Sequence, residues 1–181
     1  MALRSTIHKA DLQVSDLDRQ VFESQALSLA LHPSETEERL MVRLLAYALN
    51  IGEGLAFGRG ISSDDEATLW QHDLAGNLQL WAEVGLPDER LLRRAAGRAR
   101  QVVLYAYGGR AVSVWWQQNR EPLARLANLR VFEVPQDLSR ALAACAARNM
   151  AVQVTVQDGL IWFAVGDTTV EGTLTQLQAG R

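Results

Sequence analysis

Acidic side chains on two neighbouring predicted strands form the first group that could do chemistry. The segments near 66–72 and 78–84 each read as a strand, and the predicted turn between them is a four-residue loop at 73–76. With that loop length, Glu66 stands directly opposite Glu83, whereas a slip of one residue places Asp65 there. Carboxylates that face each other repel unless a proton or a cation relieves them, and Mg²⁺ or Mn²⁺ prefers such oxygen ligands. The spacing therefore predicts a magnesium or manganese site.

A structural interpretation of the same residues stays open. In it, Asp64-Asp65-Glu66 is a solvated loop, and Glu83 pairs with one of the arginines. Glu83 needs some partner in either case, because a carboxylate buried without one is costly.

An arginine-rich segment after Pro87 forms the second group. Leu92 and Ala95 lie on one face of the predicted helix, and the basic residues gather on the opposite face. These basic residues are Arg90, Arg93, Arg94, Arg98 and Arg100. Guanidinium groups bind phosphate through paired hydrogen bonds, so Arg90, Arg94 and Arg98 are candidate phosphate ligands. The alternative is a solvated polar face.

The remaining chemistry-bearing residues are scattered. The three histidines have no metal-ligand spacing, and the only cysteine, Cys145, lies in an alanine-rich helical run. The chain has no phosphate-binding P-loop, dinucleotide fingerprint or serine elbow. Of the adjacent Trp115 and Trp116, we expect one in the core and the other at a surface, where it could stack on a base or contact a partner.

The elements that position these groups alternate between strands and helices. Strands at about 4–14 and 21–31 precede a helix that Ser34 caps, with Glu37 as capping-box partner. The middle of the chain reads as helix, three strands, helix and strand, and a hairpin over 151–157 and 160–165 follows. This order predicts an α/β fold, with a mixed sheet covered by helices and antiparallel hairpins added from both ends of the chain.

Length and composition indicate a single soluble domain. The 181 residues are 48% hydrophobic and 22% charged, and no apolar run is long enough to cross a membrane. One cysteine allows no internal disulfide, which favours a cytoplasmic location. The net charge of −3 argues against nucleic-acid binding driven by overall charge, so any such binding would depend on the local arginine face.

Several motifs together resemble the YaeQ family of bacterial proteins. The resemblance runs almost end to end and rests on HPSETEER from position 32, DDE from 64, GLPDER from 85, WWQQN from 115 and QDGLIW from 157. It implies a variant of the PD-(D/E)XK nuclease-like fold over residues 1–181, with a restriction-endonuclease-like mixed sheet flanked by helices.

The nuclease superfamily also implies roles for particular residues. There, a helix supplies a glutamate, one strand an acid after a proline, and the next strand an acid-x-lysine, and the acids bind Mg²⁺. Carried onto this sequence, Glu38 (or Glu35) is the helix acid, Asp65 or Glu66 is the first strand acid, and Glu83 begins the acid-x-lysine pattern.

Two departures weaken the catalytic expectation. Gly85 occupies the lysine position, and Ala67-Thr68 replaces the proline-acid pair. Arg93 or Arg94 would have to replace the lysine, but an arginine is a poor proton acceptor. The resemblance therefore supports two hypotheses. One is a magnesium-dependent nuclease or phosphodiesterase, and the other is a non-catalytic module that binds nucleic acid or a protein, in transcription or RNA metabolism.

Overall fold

The protein is described by a computed structural model that covers residues 4–59 and 66–181. The chain divides into two compact units, each built from two segments. The first unit comprises Met1–Gly52 and Asp137–Thr173, and the second comprises Glu53–Gln136 and Leu174–Arg181. A single domain over 1–181 stays a prediction of the sequence.

The elements follow in chain order: β1 (Thr6–Asp16), β2 (Val21–Leu31), α1 (Glu37–Asn50), β3 (Leu55–Phe57), β4 (Leu69–His72), β5 (Leu78–Val84), α2 (Glu89–Arg98), β6 (Gln101–Ala106), α3 (Arg110–Leu123), β7 (Leu129–Glu133), α4 (Gln136–Ala144), β8 (Asn149–Gln157), β9 (Leu160–Val165), β10 (Thr168–Thr173) and β11 (Thr175–Gln178). The α/β class is confirmed, but the strands form two mixed sheets where the sequence predicted one.

The first unit contains the five-stranded sheet, in the order β10-β9-β8-β1-β2. Both predicted hairpins are present, since β1 pairs antiparallel with β2 and β8 with β9. A parallel pairing of β1 with β8 joins them into one sheet. Ala10, Leu12 and Val14 are buried at alternate positions of β1, as a strand with one face in the core requires.

The start of α1 differs from the prediction. The N-cap is Thr36, whose hydroxyl accepts a hydrogen bond from the Arg39 N–H at 3.1 Å. Ser34 Oγ lies 2.7 Å from the His32 ring instead, and the Glu35 carboxylate accepts from the His32 N–H. Ser34 thus belongs to a turn before the helix, and Glu37 is the first helical residue rather than a capping-box partner.

The second unit contains the six-stranded sheet, in the order β11-β7-β6-β5-β4-β3. Its centre is parallel, because α2 connects β5 to β6 and α3 connects β6 to β7. Both helices pack against one face of this sheet, and the residues that form that core include Trp81, Leu92, Val102, Leu104, Val112 and Val131. The segment 170–177 is divided between the two sheets, since it contributes to β10 in one and to β11 in the other.

The turn between β4 and β5 sets a register that differs by two residues from the prediction. Asp73 Oδ1 accepts hydrogen bonds from the N–H groups of Ala75 and Asn77, which closes a five-residue turn so that His72 faces Leu78. A bulge follows, and beyond it Trp70 faces Trp81. Glu66 is therefore not opposite Glu83, and β4 itself begins only at Leu69. Hydrogen bonds from Asn77 hold the pKa of Asp73 below its usual value.

The third helix, α3, is not interrupted by its proline. It starts at Arg110, and Pro122 lies in its last turn. Among the described residues, no helix is long and apolar enough to cross a membrane.

The N-cap assignment can be tested by a pair of variants. Thr36→Ala should lower the free energy of unfolding by about 1 kcal/mol, because the Arg39 N–H loses its acceptor. Ser34→Ala should cost less than about 0.5 kcal/mol, because this exposed hydroxyl caps no helix. Urea unfolding of both variants measures the difference. Equal costs, or a larger cost at Ser34, would contradict the assignment.

Candidate functional site

The buried carboxylate of Glu83 is the centre of the best-defined polar cluster in the second unit. Its side chain lies on the same face of β5 as Trp81 and is 6% exposed. Oε1 accepts hydrogen bonds from Trp81 Nε1 at 2.8 Å and from the Thr68 N–H at 3.2 Å, and Oε2 accepts from Thr68 Oγ1 at 2.6 Å. These bonds satisfy a carboxylate that would otherwise be costly to bury, and they fix the chain just before β4 against β5.

Trp81 connects this carboxylate to the arginine helix. Its ring is fully buried, packs edge-to-face against Trp70 and lies 5.1 Å from the guanidinium carbon of Arg98. A guanidinium over an indole face is held by a cation–π attraction. The same tryptophan thus donates a hydrogen bond to Glu83 and supports a cation at the end of α2.

The predicted pair of metal ligands is not formed as expected. Glu66 accepts a hydrogen bond from the Arg59 N–H at 3.0 Å and lies 3.6 Å from Arg59 Nε. Asp65 lies outside the described residues. Over 4–59 and 66–181, no three His, Cys, Asp or Glu side chains are grouped so that they could hold a metal ion. Glu66 thus does not face Glu83 across the strand pair, and a magnesium or manganese site at Asp65, Glu66 and Glu83 stays a prediction of the spacing and the resemblance.

The two candidate helix acids lie in the first unit, where each has a protein partner. Glu38 Oε1 accepts a hydrogen bond from the buried Ser139 hydroxyl at 2.7 Å. Glu35 forms ion pairs with Arg39 and with the buried Arg43, at 3.4 and 3.1 Å. These contacts give both carboxylates a structural role. A catalytic role for Glu38 stays a prediction.

The arginine face of α2 is confirmed as a surface feature. Leu92 and Ala95 are buried, while the arginines of the helix and Arg100 just after it are exposed, which agrees with the predicted helix faces. Arg93 Nε donates to Glu89 Oε1 at 3.0 Å, and the hydrogen bonds that this guanidinium donates to the Glu89 carboxylate raise its pKa. Glu89 neutralises part of the charge at Arg93, and Arg90, Arg94 and Arg98 are exposed at intervals of one helical turn. Phosphate binding by these three residues, and a catalytic role for Arg93 or Arg94, stay predictions.

The backbone at Gly85 has a conformation that suits glycine and not lysine. Gly85 has φ = +96°, at the point where β5 ends, and its N–H donates to the Tyr105 carbonyl at 2.9 Å. A residue with a Cβ atom is strained at such a φ value. The conformation at this position therefore favours glycine over the lysine that the resemblance implies there.

Thr68 and Trp81 contribute to this cluster although neither was predicted from the sequence to contact Glu83. The contact between Trp81 and Glu83 could have been predicted, because Trp81 is two residues before Glu83 on the same strand face. Thr68 could not, since its position beside Glu83 depends on the turn geometry. The Trp115-Trp116 expectation was partly wrong, because both side chains are half-buried against the core. Trp115 Nε1 donates to the Pro87 carbonyl at 2.9 Å.

Comparison with known proteins places this arrangement in a family. The family model described as "YaeQ protein" matches residues 1–174. The chain is 43% identical over 178 residues to "Uncharacterized protein YaeQ" of Escherichia coli (strain K12), with 98% of each chain covered. The chain belongs to the YaeQ family. The bacterial origin and the family expected from the motifs are thereby confirmed.

Solved structures of YaeQ proteins share the fold of this chain. The crystal structure of YaeQ protein from Xanthomonas axonopodis pv. citri matches with a TM-score of 0.93 at 43% identity, and covers 97% of this chain and 99% of that one. The YaeQ protein from Pseudomonas syringae matches with a TM-score of 0.91 at 39% identity, and 97% of each chain is covered. The mixed α/β architecture described above is therefore that of the YaeQ family.

The structural role of Glu83 predicts a large cost of removing its carboxylate. Glu83→Ala should lower the free energy of unfolding by about 2 to 3 kcal/mol, because it leaves the Trp81 and Thr68 donors buried without an acceptor. Glu66→Ala, at a partly exposed ion pair, should cost less than about 1 kcal/mol. Thermal or urea unfolding compares the two variants.

A double-mutant cycle separates this network from a simple loss of packing. Thr68→Val should cost clearly less in the Glu83→Ala background than in the wild-type protein, because the hydroxyl has then already lost its acceptor. Additive costs would refute the hydrogen-bonded network.

The positive φ value at Gly85 leads to a separate prediction. Gly85→Ala should destabilise the protein by about 1 to 2 kcal/mol, because alanine is disfavoured at this φ value. Gly97→Ala is the matched control, since Gly97 lies inside α2 and an added Cβ would meet no atom within 4 Å. That change should stabilise the protein by roughly 0.5 to 1 kcal/mol through helix propensity. A neutral or stabilising Gly85→Ala would contradict the proposed constraint on the lysine position.

Proposed function

We propose that this YaeQ-family protein binds the phosphate backbone of nucleic acid through the arginine face of α2 and does not cleave it. The observation that carries the proposal is the exposed row of Arg90, Arg94 and Arg98 on one helix face, opposite the buried Leu92 and Ala95. Guanidinium groups recognise phosphate oxygens through paired hydrogen bonds, and this makes arginine suited to such a surface.

The spacing of the row suits a polymer of phosphates. Arg90, Arg94 and Arg98 are one helical turn apart, so their Cα atoms span about 12 Å along the axis. One strand of a duplex carries a phosphate about every 3.4 Å of its axis, so this length corresponds to three or four nucleotides. A free anion would use only part of such a row.

Two features favour binding over catalysis. The Glu83 carboxylate already accepts hydrogen bonds from Thr68 and Trp81, and these bonds account for its presence without a metal ion. The position that would carry a lysine is Gly85, at a backbone conformation that disfavours it. The arginines that remain can hold a phosphate, but their high pKa makes them poor bases. A magnesium-dependent nuclease is therefore the competing hypothesis, and the same experiment addresses it.

Salt-dependent binding tests the proposal. Fluorescence anisotropy with labelled single-stranded DNA, duplex DNA and single-stranded RNA is measured between about 50 and 200 mM salt, the range over which phosphate contacts weaken strongly. The wild-type protein should bind at least one of these, and Arg90→Ala/Arg94→Ala should reduce the slope of log affinity against log salt by about 1 to 2. Arg140→Ala, an exposed arginine on α4, is the matched control and should leave the slope unchanged.

A cleavage assay on the same oligonucleotides distinguishes the nuclease hypothesis. The protein is incubated with each oligonucleotide and Mg²⁺ or Mn²⁺, and products are resolved on a denaturing gel. Intact oligonucleotides support the proposal. Metal-dependent cleavage that is lost in Glu83→Gln would overturn it, and so would the absence of binding to all three oligonucleotides.

A further inference from the structure

A second cationic site in the second unit is separate from the arginine face of α2. A pocket of about 670 Å³ lies between the end of α3, the turn that follows it and the C-terminal segment after β11. Its volume is in the range typical of small-molecule sites. The residues that define its chemistry are Trp116, Arg120, Arg125, Leu126, Leu177 and Arg181.

Hydrogen bonds to backbone carbonyl groups hold the walls of this pocket together. Gln178 Nε2 donates to the carbonyls of Leu123 and Leu129, at 3.0 and 3.1 Å, and so fixes the C-terminal segment against the turn. The Arg181 N–H donates to the Ala127 carbonyl at 2.6 Å. Because these bonds join the two walls, the pocket is preformed, and a ligand would not have to order its walls on binding.

The lining combines an apolar part with a cationic part. Trp116 and Arg120 are four residues apart on α3, so they lie on the same helix face. Leu126 and Leu177 are half-buried and supply the apolar surface, while Arg120, Arg125 and Arg181 are exposed.

The charge of the lining is positive. Its one acidic side chain is Glu121, against three guanidinium groups. Within residues 4–59 and 66–181, no ion pair with Arg120, Arg125 or Arg181 is found. These three groups are therefore available to a ligand anion.

We propose that this pocket binds a nucleoside monophosphate, with its phosphate on the arginines and its base against Trp116 and the two leucines. An indole is a stacking surface for a planar base, and apolar side chains favour a ring over a hydrated ion. Guanidinium groups at the rim match a phosphate monoester in charge and geometry. This proposal is independent of nucleic-acid binding by α2, because it uses a different set of residues.

Calorimetric titration of the full chain tests the pocket. The probes are the four nucleoside monophosphates, with adenosine and inorganic phosphate as partial ligands. At least one nucleotide should bind with one-to-one stoichiometry, and more tightly than adenosine or phosphate. Arg120→Ala/Arg125→Ala should weaken that binding about tenfold or more, since charge-assisted hydrogen bonds are lost. Both arginines are exposed, so this variant should keep the wild-type fold.

The controls distinguish this site from the arginine face of α2. Arg110→Ala, an exposed arginine at the other end of α3, should leave nucleotide affinity unchanged, and Arg90→Ala/Arg94→Ala should do the same. Conversely, Arg120→Ala/Arg125→Ala should not alter the salt slope for oligonucleotides. The proposal is overturned if no nucleotide binds, if inorganic phosphate binds as tightly as the nucleotide, or if the double variant binds normally.

Discussion

One buried carboxylate constrains the second unit of this protein more than any other polar group described here. Glu83 lies on the face of β5 that the helices cover, and its burial is tolerated because Thr68 and Trp81 donate hydrogen bonds to both of its oxygens. These bonds position the chain before β4 and orient the indole on which Arg98 lies. The Trp81 ring thus contacts both the buried Glu83 carboxylate and Arg98 on the arginine face of α2.

Much of the fold could be predicted because hydrophobic periodicity is a local property. The two faces of α2 follow from the spacing of Leu92 and Ala95 relative to the arginines, and the hairpin β8–β9 follows from alternating residues around Asp158-Gly159. The partition of strands into two sheets could not be predicted in the same way. It depends on which strands pair over long sequence separations, such as β1 with β8, and alternation alone does not specify partners.

The candidate site was less predictable because its geometry depends on side chains in a turn. Alternation along a strand puts Trp81 and Glu83 on one face, but the residue opposite Glu83 depends on the length of the turn. Asp73 extends that turn by one residue through its hydrogen bonds, and the bulge beside His72 adds another. The longer turn and the bulge together change the β4–β5 register by two residues, so Glu66 does not face Glu83. A register slip of two keeps the same strand face, so hydrophobic patterning could not have detected it.

The same geometry accounts for the residue types found at positions 83 and 85. A glutamate at position 83 is required by the donors around it, so its presence does not by itself imply a metal. Position 85 must adopt φ = +96°, which favours glycine and removes the only place near Glu83 where the motif expects a lysine. The nearby cationic groups are then arginines on a helix surface, which hold phosphates but do not accept protons at neutral pH. The proposed binding of phosphate without cleavage therefore rests on the same local structure.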